Sequence, residues 1–272
     1  MFGPKVTLGK FETKVGFCLP NAPAVSGPTV DVKKFENEIT IPNTEIAGYK
    51  SVDSMNFDGV NELAVSAIKN DYAYTDQMTV SCWAKMNSLQ SSERAFVRKN
   101  NEFQLGKISD TRCRFLLRTA GGGWTVANDF DFTFVVGEWF HALLTYDSNN
   151  LFMYMNGQLL NNPSNVSGNI TKQNSGVAIG ARGDQALQFN GNVDEVRLWD
   201  RYLTPDEVDA EYNNGCPADP TYPVDLLSHW PIESSIGDDG TGTTGVLQDV
   251  IGGVDAIPVN TEASDLEAEA PC

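Results

Sequence analysis

The string Glu207-Val-Asp-Ala-Glu211 puts three carboxylates at alternate positions. On a strand, alternation would aim all three at one face, and two carboxyls about 5 Å apart would serve as acid and nucleophile in glycoside hydrolysis. The flanking residues argue against a strand. Thr204-Pro205-Asp206-Glu207 supplies a hydroxyl at the N-cap, proline at N1 and glutamate at N3, the pattern of a capping box. In the helix that follows, Glu207 and Glu211 share a face and Asp209 points away, so the string is expected to be surface helix charge. Asn213-Asn214-Gly215 then ends the helix, with Gly215 in the left-handed C′ role. Asp194-Glu195 sits in a strand pattern as an adjacent pair pointing to opposite faces, and His141 has no recognisable Ser or Cys partner. His141 is expected to be a hydrogen-bonded core residue. These residues give no basis for catalysis, and the chain is expected not to be an enzyme.

Residues suited to binding are more apparent. Arg112, Arg114 and Arg118 fall on one face of a single strand, with Cys113, Phe115 and Leu117 on the other, and Arg98 is positioned to join them. In a chain of formal charge −17 this stripe is unexpected. Guanidinium groups pair carboxylates in a bidentate way, so the stripe suits acidic glycans or an acidic segment of a neighbour; the alternative is a solvated face balanced by nearby acids. Trp124 follows three glycines, either as a ring for stacking on sugar or as a buried corner residue.

The elements that must carry these residues read as strands. In Glu138–Gly157, Trp139, His141, Leu143 and Thr145 alternate with Phe140, Ala142, Leu144 and Tyr146, which predicts a strand buried on both faces. Asp147-Ser148-Asn149-Asn150 turns the chain into a return strand, and Asn156-Gly157 offers the positive φ of a tight hairpin. Gln77–Met86, Ala95–Arg98, Glu102–Leu105, Arg112–Thr119, Gly176–Gly180 and Gly191–Trp199 repeat the pattern about every ten residues, as in a sandwich or jelly roll. Leu226–Ile232 is strand-like too, and a Gly/Thr/Asp loop then leads to Val246–Gly253 and an acidic tail. Residues 1 to about 50 are broken by five prolines and read as a leader or as an arm for a neighbouring subunit.

The charge balance opposes nucleic acid and anionic membranes, and no apolar run approaches the ~18 residues of a membrane span. Five scattered cysteines without metal-ligand spacing, and an amino-terminal stretch without a secretory pattern, imply synthesis in the cytosol with reduced thiols.

Phe57-Asp-Gly59, Thr79–Trp83, Trp139-Phe-His141, Thr145-Tyr-Asp147, Tyr154–Gly157, Ile179-Gly180 and Phe189–Trp199, taken in this order with the helix, resemble the laminin G-like branch of the concanavalin A-like lectin/glucanase superfamily. The resemblance implies an all-β antiparallel jelly roll over residues 52–215 with one short helix. Residues 1–51 would be an arm or docking segment, and 216–272 an extension that completes the sandwich or docks a neighbour. It implies Ca²⁺ at a sandwich rim, with Asp58 or Asp194 as carboxylate ligand. Leu226–Val259 resembles the opening strand of that domain, displaced to follow the helix. The layout, with Ser264-Asp265-Leu266 near its end, looks like virion structural proteins of marine and freshwater phages. That looser resemblance implies a head decoration, fibre or tail component, made in host cytoplasm and carried outside on the particle. Its partners would be other virion proteins, copies of itself and cell-surface glycan, with no nucleic acid and no membrane insertion. A stand-alone carbohydrate-binding module is the alternative.

Overall fold

The computed structural model describes residues 51–68, 74, 76–120, 123–160, 164–217, 224–234, 237–241 and 245–272, with the backbone alone at 123–128 and 164–165. The proline-rich segment before residue 51 lies outside the described residues. In chain order the strands are β1 (Ser54–Asp58), β2 (Leu63–Ser66), β3 (Met78–Met86), β4 (Arg94–Lys99), β5 (Phe103–Ser109), β6 (Arg112–Thr119), β7 (Gly123–Asp131), β8 (Trp139–Tyr146) and β9 (Asn150–Met155). After these come β10 (Gln158–Leu159), β11 (Ser164–Asn165), β12 (Val177–Ile179), β13 (Asn190–Trp199), helix α1 (Pro205–Tyr212), β14 (Leu226–Trp230), β15 (Ala256–Val259) and β16 (Leu266–Glu267).

Among the described residues these strands form two antiparallel sheets. One runs β10-β9-β8-β3-β13-β1-β16, with β11 on β9 and β14 on β13, and the other runs β15-β2-β12-β4-β5-β6-β7. The alternation seen in sequence sets the layers. Met78, Val80, Cys82, Ala84 and Met86 of β3 face Phe96, Phe103, Phe115 and Leu117 of the second sheet across one apolar core. The thiols of Cys82 and Cys113 lie in it, and burial pushes the Cys113 thiol up to about 12. Thr79, Ser81, Trp83 and Lys85 face outward beneath α1 or beside it. There Leu143, Tyr154, Trp199, Leu203, Val208 and Leu226 make a second, smaller core.

The long strand β13 is completed by two partners placed end to end. Residues Asn190–Val193 pair with β1, and Val196–Trp199 pair with β14, so the displaced strand fills the half of the edge that β1 leaves. A bulge between Asp194 and Arg197, with Glu195 at φ 50°, marks the junction. The ends are tied across it: Val52 N donates to Glu233 (2.8 Å), Ser234 N to Asp53 (2.8 Å) and Ser51 Oγ to Asp194 (2.7 Å). Trp230, Ile232, Leu247 and Ala256 enter the same core as the rest, and β15 and β16 extend the two sheets at β2 and β1.

The turns follow their residue types in most places. Asn156 (φ 50°) and Gly157 (φ 72°) close the central hairpin, and Asn156 Oδ1 accepts from His141 N at 2.8 Å. Along Val246–Gly253, Leu247 makes a single bridge to Ala256, and Asp249 Oδ1 then accepts from Ile251 N and Gly252 N, bending the chain into a turn. At the end of α1, Asn213 (φ 44°) takes the left-handed position expected of Gly215, and a 3₁₀ turn over Asn213–Gly215 follows.

Candidate functional site

The Glu-x-Asp-x-Glu string lies in α1, with the capping box formed by Thr204 and Glu207 in both directions. Glu207 also pairs with Arg201 at 2.8 Å, and these bonds hold its carboxyl down at about 2. Glu211 is not the surface charge expected of it. It points inward, accepting from Arg197 Nη1 at 2.8 Å and from Ser81 Oγ at 3.3 Å. Arg197 bridges onward to Glu195 at 2.6 Å, and Glu195 meets the His229 ring at 2.7 Å, all beneath the helix. Glu211 fastens the helix to the nine-stranded sheet, while Glu207 caps the helix start, and the two are turned to different partners.

His141 is buried, as expected, but not hydrogen bonded through its ring. Among the described residues neither ring nitrogen has a partner, Trp83 packs at 5.0 Å, and burial with the nearby Arg197 charge pushes the imidazole down to about 3.

The arginine stripe is present on the outer face of the seven-stranded sheet. Arg114 is bidentate with Asp129 (2.7 and 2.9 Å) and reaches Glu93 at 3.0 Å. Glu93 accepts from Gln104 at 3.2 Å, and Gln104 accepts from Arg98, itself only 6% exposed. The outcome is a relay over four strands in which guanidiniums meet acids or amides of the same chain. Arg112 is exposed beside Asp131 at 3.6 Å. Arg118 is partly exposed and, among the described residues, its guanidinium has no partner. Trp124 stands opposite Arg118 in the ladder; its side chain lies outside the described residues.

Asp58 and Asp194 are not brought together. Asp58 is exposed and caps its own turn, accepting from Val60 N at 2.7 Å. Asp194 is fully buried on Ser51 Oγ and Glu195 N, and burial, with the Glu195 charge next, pushes its carboxyl well above the usual range. Among the described residues no group of three His, Cys, Asp or Glu is arranged to hold a metal.

Sequence reasoning did not find the row Trp139, Lys85, Asn192 and Asn56 on the outer face of the nine-stranded sheet. Its members come from β8, β3, β13 and β1, and only the register of three ladders makes them neighbours.

Two facing antiparallel layers with one capped helix define a lectin-like jelly roll. The chain belongs to the concanavalin A-like lectin/glucanases superfamily, whose family model matches residues 58–209, more than half of its length. A solved structure of a proposed carbohydrate-binding protein from Bacteroides ovatus superposes with a TM-score of 0.62 at 18% identity, over 82% of this chain and 62% of that one; the likeness is one of fold. Domain 4 of an arabinanase from Geobacillus stearothermophilus is more distant, with a TM-score of 0.43 at 20% identity over 57% of this chain and 74% of that one. In sequence the chain is 42% identical to the human adhesion G-protein coupled receptor D1 over 74 residues, which are 26% of this chain and 8% of that receptor.

Proposed function

We propose that this chain is a non-enzymatic structural protein of a virion, a head decoration, fibre or tail component, whose jelly roll is displayed outward and meets cell-surface glycan. The observation that carries the non-enzymatic part is the use of Glu207 and Glu211: one caps a helix and the other holds Arg197 beneath it, so the two do not flank a common site in the arrangement hydrolysis needs. The display part is supported by the way β14, β15 and β16 finish both sheets from the same chain. Both sheets take all their described strands from the one chain, and the segment before residue 51 is the proposed docking arm. The chain is made in host cytoplasm, leaves on the particle, and has copies of itself and other virion proteins as partners.

Two measurements test this reading. Mass spectrometry of purified particles from the source culture should find the chain at a fixed copy number per particle; recovery only as a soluble monomer would overturn the virion assignment. Glycan substrates should not be hydrolysed, and an activity abolished by Glu207→Gln would overturn the non-enzymatic one.

A further inference from the structure

On the outer face of the nine-stranded sheet, Trp139, Lys85, Asn192 and Asn56 stand opposite one another across β8, β3, β13 and β1. The acidic segment 266–272 is laid on this row. Glu267 gives one carboxylate oxygen to each of two amides, accepting from Asn56 Nδ2 at 2.7 Å and from Asn192 Nδ2 at 2.9 Å. Glu269 pairs with the Lys85 ammonium, which lies 5.5 Å from the centre of the Trp139 ring. The row is therefore a carboxylate receptor already holding carboxylates of its own chain.

The segment does not complete it. Among the described residues, Asn192 Oδ1 is a buried acceptor with no donor, Trp139 Nε1 a buried donor with no acceptor, and both His141 nitrogens, two residues along β8, are unmet. Buried polar atoms are nearly always paired in folded proteins, so several together mark a place where something else supplies the partner. The closure is also light. β16 pairs with β1 through Ser54↔Glu267 and Met55↔Leu266 alone, and the Glu269 side chain is 48% exposed.

We propose that this row is a saccharide site for carboxylated sugars of the uronate class, closed in cis by residues 266–272, with Glu267 and Glu269 standing where the sugar carboxylate binds. The Asn56 and Asn192 amides and Lys85 take the carboxylate. Asn192 Oδ1 accepts from a sugar hydroxyl, Trp139 Nε1 donates to a ring or glycosidic oxygen, and the partly exposed indole packs on the sugar's C–H face. A peptide backbone could also meet the indole and amide atoms, but a uronate carries its hydroxyls and ring oxygen beside the carboxylate and offers a C–H face to the partly exposed indole, which is why sugar is the occupant chosen. The inference rests on the glycan-adhesion reading above and places it on the opposite sheet from the arginine stripe.

The test is titration of the full chain with short oligogalacturonate in 0.15 M salt, where the −17 charge is screened. Glu267→Gln with Glu269→Gln should tighten binding about tenfold or more, and adding Lys85→Met or Trp139→Phe to that double variant should abolish the gain. In the unmodified chain, saturating oligogalacturonate should raise hydrogen exchange at 266–269, so the test does not depend on any variant folding. Affinity unchanged by the double variant, or no exchange response, would overturn the site. Equal binding of dextran would overturn the uronate class, and equal binding of polyglutamate would reassign the row to acidic peptides. Uronate binding lost with Arg118→Glu but kept with Lys85→Met would overturn this site while leaving adhesion standing. No glycan binding by a chain still incorporated into particles would overturn both and leave the virion role.

Discussion

On the seven-stranded sheet, Arg98, Gln104, Glu93, Arg114 and Asp129 hand hydrogen bonds from strand to strand, although the buried Nε atoms of Arg94 and Arg98 take no part in them, while on the nine-stranded sheet Trp139, His141 and Asn192 keep polar atoms that meet no partner among the described residues. Both faces are polar and both are turned away from the common core. The matched face has the chemistry of a fold that stabilises itself: each guanidinium of the relay is already neutralised or hydrogen bonded, so a ligand would have to displace a partner held at short range. The unmatched face carries a cost that folding alone does not recover. Among basic residues an eye-catching stripe can thus be structural, while an inconspicuous row of Trp, Lys and two Asn is the better candidate for recognition.

The contrast breaks most visibly at Arg197. It lies under α1 with Glu195 and Glu211, and Arg197→Ala leaves buried carboxylates without their cation. A loss of about 3–5 kcal/mol is expected in denaturant unfolding. A loss below about 1 kcal/mol would mean that the helix is not fastened through this network.

A second test concerns the crowd of acids near the 266–272 segment. Burial pushes the Glu62 carboxyl up to about 7 from an ordinary 4.5, with Asp265, Asp58 and Glu262 adding to the effect. Its folded-state value lies above its unfolded one, so the folded state holds the extra proton between about pH 4.5 and 7, and stability falls as pH rises through that window. The difference in stability between the chain and Glu62→Gln should therefore drift against the unmodified chain by about 1 kcal/mol or more from pH 5.5 to 8. A flat difference in paired melts would place Glu62 in a solvated setting.

These effects were unequally legible in the amino-acid string. Strand positions were, because alternation of apolar residues in β3 and β8 is forced by burial on a pleated layer, and the helix start was, because Thr204 and Glu207 are chemically matched. Glu195 at positive φ gave no signal, since the bulge follows from fitting β1 and β14 along one neighbour. The arginines were seen but their partners were not: Glu93 and Asp129 lie 21 and 15 positions from Arg114, and only the folded register joins them.

Smaller effects sharpen the comparison. His141→Phe removes two unmet nitrogens and keeps a ring of similar size between Trp83 and Tyr212, so stability should hold or rise by up to about 1 kcal/mol. A loss above about 2 kcal/mol would show that the imidazole has an essential polar role in the resting fold. On the opposite sheet, Arg114→Ala should cost about 1 kcal/mol, because its pairs are partly solvated, and Arg118→Ala less than about 0.5 kcal/mol. Equal costs, read from urea midpoints, would erase the distinction between matched and unmatched guanidiniums.

The most direct test is a hydrogen-exchange map of the full chain with and without saturating oligogalacturonate. Protection gathered at 54–56, 83–87, 139–141 and 190–193, with loosening at 266–269, is the result expected if the unmatched face is the one that binds. Protection confined to 94–98 and 112–118, with 266–269 unchanged, would contradict it and return recognition to the arginine face.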